Sequence, residues 1–295
     1  MQKLWVLGLS IGGALLAGLL LNPHVRSRSG EKVAAVPALQ YEVLKRSGST
    51  VYTLAIPRDR RYAIRPFVAE GILTVGQVAE RTGAIAAINA GFFDPVNQKT
   101  TSAIAIDGRE VANPRDNERL VDNPKLSGYL SAILNRSEFR VYQCGTQVDY
   151  GIEFRSAAVP PGCQFRQAVG GGPQLLPNDT SQQEGFTAYD NGELIRDAIG
   201  SKQRNARTAI GLKPDGSVVW VMVAQTKARD SGMTLDELAD FMKRLGVTSA
   251  LNLDGGTSSS LYAQGKAAYG KRDETGQPIE RAVKSVLLLM PMRTK

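Results

Sequence analysis

Twice along this chain a helical pattern stops at a glycine and an apolar run stops at an asparagine six residues later. Gly83 leads through AIAAI to Asn89, and Gly246 leads through VTSAL to Asn252. The second helix opens on Thr234-Leu235-Asp236-Glu237, a spacing in which the threonine hydroxyl and the glutamate carboxylate each satisfy an amide at the other's position. Leu235, Leu238, Ala239, Met242 and Leu245 then recur at helical spacing until Gly246 provides the left-handed stop. The first helix opens at Thr74-Val75-Gly76-Gln77 and carries Val75, Val78 and Ala79 to Gly83. Two helix–strand units whose strands end at one edge of the fold would bring Asn89 close to Asp254; two ordinary units that merely end alike would not.

Elsewhere the pattern is of short strands. Tyr41–Leu44, Thr50–Ile56 and Tyr62–Val68 are rich in β-branched and aromatic residues, and Ser102–Ile106 runs into the turn Asp107-Gly108. Tyr129–Leu134 and Phe139–Gln143 flank Asn135-Arg136-Ser137 and predict a hairpin, as do Ala209–Leu212 and Val218–Ala224 around Lys213–Ser217. Ser285–Met290 predicts a final apolar strand. The expected class is α+β: a single domain at 39–295 with a mixed, mostly β sheet built from hairpins and the two helix–strand units. With 42% hydrophobic and 22% charged residues in 295 positions, the chain has the apolar material for a sizeable core.

Ahead of that domain, Leu4–Leu21 carries no charge and follows Lys3. Its length lies between a signal-peptide core and a short membrane span, so residues 1–21 are expected to be a signal peptide or membrane anchor and 22–38 a linker. The body is then extracytoplasmic: secreted, periplasmic or anchored facing outward. In an exported chain Cys144 and Cys163, the only thiols, would pair and close a loop of roughly twenty residues, worth about 3 kcal/mol. The other reading is two buried thiols.

His24 is the only histidine and lies beside the apolar stretch. The body therefore has no imidazole for a Ser-His-Asp mechanism or a histidine zinc site. The formal charge of +8 falls to +5 once Lys3, Arg26 and Arg28 are set aside. Its basic residues are scattered, with no tract of the nucleic-acid type, so a solvated surface or attraction to anionic polymers is expected and nucleic acid is not. No cofactor is indicated. A hard divalent cation at Asp254 would suit oxygen ligands, but no comparable ligand run exists and no metal residues are assigned.

The apolar strand ending in Asp254-Gly255-Gly256-Thr257-Ser258-Ser259-Ser260 places a carboxylate at its exit, with glycines for close backbone approach and hydroxyls as donors. A tight turn capped by Asp254 is the plainer alternative. Gly170-Gly171-Gly172-Pro173 offers a second bare backbone loop. Arg207 points either to solvent or, as a planar fork, to phosphate.

Taken in order, INAGFFD at 88–94, VGGGPQLL at 169–176, NARTAIGL at 205–212, SGMTLDELADFMKRLG at 231–246 and LNLDGGTSSSLY at 251–262 resemble the phosphodiester glycosidase family over roughly residues 70–292. The resemblance implies a single α+β catalytic domain, an extracytoplasmic or luminal setting and hydrolysis of a sugar-1-phosphodiester at its glycosidic bond, so a phosphorylated glycan is the expected partner, alongside the membrane contact expected of the N-terminal segment. It makes Asn89, Arg207, Thr208, Asp254 and the Ser258–Ser260 hydroxyls the matching positions. The chain departs in reading Asn89-Ala90-Gly91 where two glycines are common, and in Thr257 where a third glycine is common. On this reading Asp254 is base or nucleophile, and Arg207 clamps the phosphate. Asn89, Ser258 and Ser259 orient oxygens, Thr208 and the glycine-loop amides of Gly171 and Gly172 stabilise the charge on the departing phosphate, and Gly255 and Gly256 line the site. Glycoside cleavage generally uses two carboxylates; for the second, Asp94, Glu184 and Asp230 are candidates, each expected to be a solvated surface acid. A polysaccharide-binding protein without catalysis and a hydrolase attacking phosphorus are the rival readings.

Overall fold

The computed structural model describes residues 38–46, 48–227 and 230–292. The expected export segment at 1–21 and all of the linker but Ala38 lie outside them. No helix among the described residues is long and apolar enough to cross a membrane.

Three antiparallel sheets surround the main core. The first runs in the order Gln40–Arg46, Ser49–Ile56, Val218–Gln225, Arg207–Leu212, Ser249–Asn252 and Gln174–Leu176. The second runs Lys266–Tyr269, Ser260–Ala263, Ala86–Asn89, Val283–Pro291 and Tyr62–Leu73. The third runs Arg109–Ala112, Ile104–Ile106, Cys163–Gly170, Ser137–Cys144 and Gln147–Phe154, and a separate hairpin joins Thr187–Asp190 to Glu193–Asp197.

Strand alternation sorts the apolar side chains into layers. In Val218–Gln225, Trp220, Met222 and Ala224 face the central core, while Val219, Val221 and Val223 meet Leu235, Leu238, Phe241 and Met242 of the helix Leu235–Arg244. In the second sheet, Ala86, Ile88, Leu287 and Leu289 turn inward. Ala87, Val286 and Leu288 turn outward onto Val75, Val78 and Ala79 of the helix Val75–Thr82. Each helix thus covers the outer face of one sheet, which is why both sheets bury residues on both faces.

Both helix starts have the reciprocal bonds of a capping box, Thr74 with Gln77 and Thr234 with Glu237. Gly83 and Gly246 take φ of 68° and 80°, the left-handed conformation that ends a helix without a Cβ clash.

One expected strand is helical. Pro124–Tyr129 forms a 3₁₀ turn, capped by the Asn123 side chain on the Lys125 amide, and continues as the helix Leu130–Leu134. The strand it was expected to pair with has no free edge, because Ser137–Cys144 is flanked by Gln147–Phe154 and by Cys163–Gly170. Cys144 and Cys163 are register partners in that ladder and are joined by a disulfide, so neither is a buried free thiol.

Candidate active site

The two strand ends meet. The Asp254 amide donates to the Ala90 carbonyl at 3.0 Å, and Asn89 Nδ2 donates to the Asp254 carbonyl at 2.6 Å. Asn89 Oδ1 accepts from Thr208 Oγ1 at 2.8 Å and from the Ser260 amide at 2.9 Å. Asn89 is fully buried, and so is Thr208. Their polar groups tie four chain segments together rather than facing a ligand, so both act by holding Asp254 in place.

Asp254 itself is only partly buried as a residue, yet neighbouring atoms surround its carboxyl closely. Loss of hydration pushes its pKa up to about 7. The Ser258 hydroxyl, the Gly255 amide and the positive charge of Arg281 oppose that rise without cancelling it. The result is a carboxyl divided between acid and base near neutrality, the condition sought in a proton-transfer group. Of the serines expected to serve it, Ser258 does so. Ser260 Oγ donates instead to the Ser258 carbonyl at 2.9 Å, and Ser259 Oγ is buried without a hydrogen-bond partner.

Arg207 differs from expectation. Its Nε donates to the Met233 carbonyl at 3.0 Å, one Nη to Ile199 at 3.0 Å, and the other to Gly200 and Gln203 at 2.6 and 2.8 Å. Four of its five N–H groups are spent on backbone carbonyls, and burial lowers its pKa to about 10. It is a brace for the 199–203 loop and is not available as a phosphate fork.

The glycine loop is also structural. A Cβ on Gly171 would stand 2.7 Å from the Asn252 carbonyl oxygen. Gly172, at φ +114°, would put one 2.7 Å from the Phe186 ring and against the Glu184 carboxylate. The Gly171 and Gly172 amides donate to the carbonyls of Ser137 and Asn252. These glycines let the loop press onto the strand that carries Asp254. In the second glycine pair, the Gly256 amide is spent on the Ala206 carbonyl, whereas the Gly255 amide serves the Asp254 carboxylate.

None of the three second-carboxylate candidates stands free beside Asp254. Glu184 is no surface acid: it is fully buried, accepting from the Ser137 amide and hydroxyl, the Gln174 amide and the Thr180 hydroxyl. Asp94 caps the Val96 amide and pairs with Arg119 at 2.7 Å. Asp230 is exposed in a turn at φ 55°. Among the described residues no three His, Cys, Asp or Glu side chains gather as metal ligands.

Two arginines escaped the sequence reading. Arg136 stacks 3.6 Å from the Phe186 ring centroid and lies 5.9 Å from that of Phe92. Burial lowers its pKa to about 9, which leaves it charged at neutrality. Arg281 lies 5.8 Å from the Phe93 ring centroid and acts on Asp254. Neither sits in a recognisable pattern: Arg136 falls in an apparent turn, and Arg281 in a mixed-charge run before the last strand.

A family model described as phosphodiester glycosidase matches residues 82–290. The N-acetylglucosamine-1-phosphodiester alpha-N-acetylglucosaminidase of Mus musculus is 26% identical over 216 residues, covering 72% of this chain and 38% of the relative. That of Bos taurus is 27% identical over 201 residues, covering 66% and 34%. The chain therefore spans little more than a third of the length of these relatives. Among solved structures, the zebrafish catalytic domain of the same name, auto-inhibited by its pro-peptide, superposes with a TM-score of 0.58 at 21% identity, covering 86% of this chain and 82% of that one. A hypothetical protein from Synechocystis superposes at 0.55 with 18% identity, covering 85% and 61%. At these identities the structural likeness is one of fold.

Proposed function

We propose that this chain, which belongs to the phosphodiester glycosidase family, hydrolyses the glycosidic bond of a sugar-1-phosphodiester, as the names of its curated relatives describe for them. The observation that carries the reading is the Asp254 carboxyl, with a pKa near 7, at the strand edge where all the family-like motifs but the glycine loop and the second helix supply a contact. In this mechanism water adds to the anomeric carbon, the bond from that carbon to the phosphate oxygen breaks, and the phosphate monoester departs with the electron pair. Ionised Asp254 either takes the proton of that water or itself attacks the carbon before water releases the sugar. A phosphate monoester is a stable leaving group, so the chemistry does not require Glu184, Asp94 or Asp230 to act as a second carboxylate. Inversion at the anomeric carbon assigns the base role, and retention the nucleophile role.

The setting we propose is extracytoplasmic, with the substrate an envelope glycan or exopolysaccharide and the N-terminal apolar stretch as signal or anchor. The Cys144–Cys163 disulfide supports an oxidising compartment. The test is release of free sugar from an N-acetylglucosamine-1-phospho-glycoside by the full chain, against an Asp254→Asn control. Release confined to the unsubstituted chain is the expected result. Binding without release across several sugars would favour a polysaccharide-binding protein, and oxygen-18 from water appearing in phosphate would favour attack on phosphorus.

A further inference from the structure

Arg281 stands two residues before the strand Val283–Pro291. In that strand the Ser285 carbonyl accepts from the Ala90 amide, and the Ser285 hydroxyl accepts from the Gly91 amide, each at 3.1 Å. This pairing sets Arg281 against the Ala90–Phe93 turn, with its guanidinium carbon 5.8 Å from the Phe93 ring centroid. Asp254 reaches the same turn through its amide on Ala90. Backbone bonds thus hold a guanidinium and a carboxyl on one short piece of chain.

The two are not spent on each other. Asp254 takes its hydrogen bonds from Ser258 and Gly255. Arg281 Nε is buried with no acceptor, and none of its other donors has one among the described residues. A buried N–H without an acceptor is costly, and a guanidinium presents its donors in a planar fork that matches two oxygens of one tetrahedral anion. In a sugar-1-phosphodiester the phosphorus is two bonds from the anomeric carbon and its free oxygens are three. A group that holds them must therefore stand beside the carboxyl that acts on that carbon with donors to spare, as Arg281 does; the Arg207 donors are spent on backbone carbonyls.

We propose that Arg281 is the phosphate-binding residue of this site, donating through its guanidinium fork to two oxygens of the phosphodiester; this rests on the glycosidase reading above. The phosphate oxygens satisfy the unpartnered donors, and Phe93 keeps the fork in plane against them.

The test titrates the full chain with N-acetylglucosamine-1-phosphate, followed by phosphorus NMR, alongside steady-state kinetics on the phosphodiester. Arg281→Met is expected to weaken binding roughly tenfold to a hundredfold and to raise KM by a similar factor, as loss of a charge-assisted pair does. Arg281→Lys should recover only part, because an ammonium does not reproduce the fork. Near-UV circular dichroism checks folding; should Arg281→Met fail to fold, weakened binding by Arg281→Lys carries the same expectation. Unchanged affinity and KM in a folded Arg281 variant overturn the proposal, as does failure of the unsubstituted chain to bind. Hydrolysis that ignores Arg281 leaves the glycosidase reading standing and removes Arg281. Arg281-dependent binding without hydrolysis removes the glycosidase reading and leaves an anion site.

Discussion

Replacing Asp254 with asparagine should abolish turnover and, above neutrality, make the folded chain harder to melt. The folded chain holds the Asp254 proton up to about pH 7, whereas an unfolded chain releases it near 3.8. Folding therefore binds a proton between those values, and its stability falls as pH rises through them. At about 1.4 kcal/mol for each pH unit, ionising the folded carboxyl costs about 4 kcal/mol. The residue is partly open to solvent, which reduces this to roughly 1–3 kcal/mol. Asparagine cannot ionise, and its amide oxygen still accepts from Ser258 and Gly255, so it escapes this cost. For a domain of this size that is a rise in Tm of roughly 3–10 °C over the unsubstituted chain at pH 8, shrinking towards pH 4. Scanning calorimetry of both chains from pH 4 to 8 reads the difference directly. A difference that stays flat across this range would refute the desolvated carboxyl, whatever the activity of the variant.

Two further substitutions separate structure from chemistry. Arg207→Lys leaves two or three of the carbonyls at Ile199, Gly200, Gln203 and Met233 without a donor, and should cost about 3–5 kcal/mol, read as a lower urea midpoint, with KM of the folded enzyme unchanged; a raised KM with an unchanged midpoint would return Arg207 to the substrate. Gly172→Ala combines a φ of +114° with a Cβ driven against Glu184 and Phe186, and should cost about 4 kcal/mol or more, so that soluble, protease-resistant protein is lost at 37 °C; normal yield and Tm would show that the loop gives way.

The parts legible in the sequence were those decided by local rules. Capping residues, helical spacing and a terminal glycine marked both helices, and the equal spacing to Asn89 and Asn252 put the strand ends together. What was not legible depended on distant chain. Arg207 looks like any strand-end arginine until the 199–203 loop folds back over it. Glu184 sits between Gln183 and Gly185, a polar stretch that reads as surface, and is buried because Ser137, Gln174 and Thr180 close around it. Tyr129–Leu134 has the apolar content of a strand, but the edge it would need is already paired. Arg281 is one charge among many until the last strand fixes it beside Asp254.

The partners of the Asn89 carboxamide lie 119, 165 and 171 residues further along the chain. During synthesis none of these bonds can form until the segments around Thr208, Asp254 and Ser260 have left the ribosome, and closing such long loops is slow. The surroundings of Asp254 are thus completed late in the making of each molecule and are absent from nascent chains. A carboxyl enclosed only by the last third of the chain stays open to water, and keeps an ordinary carboxylate affinity for its proton, for as long as the chain is still being made.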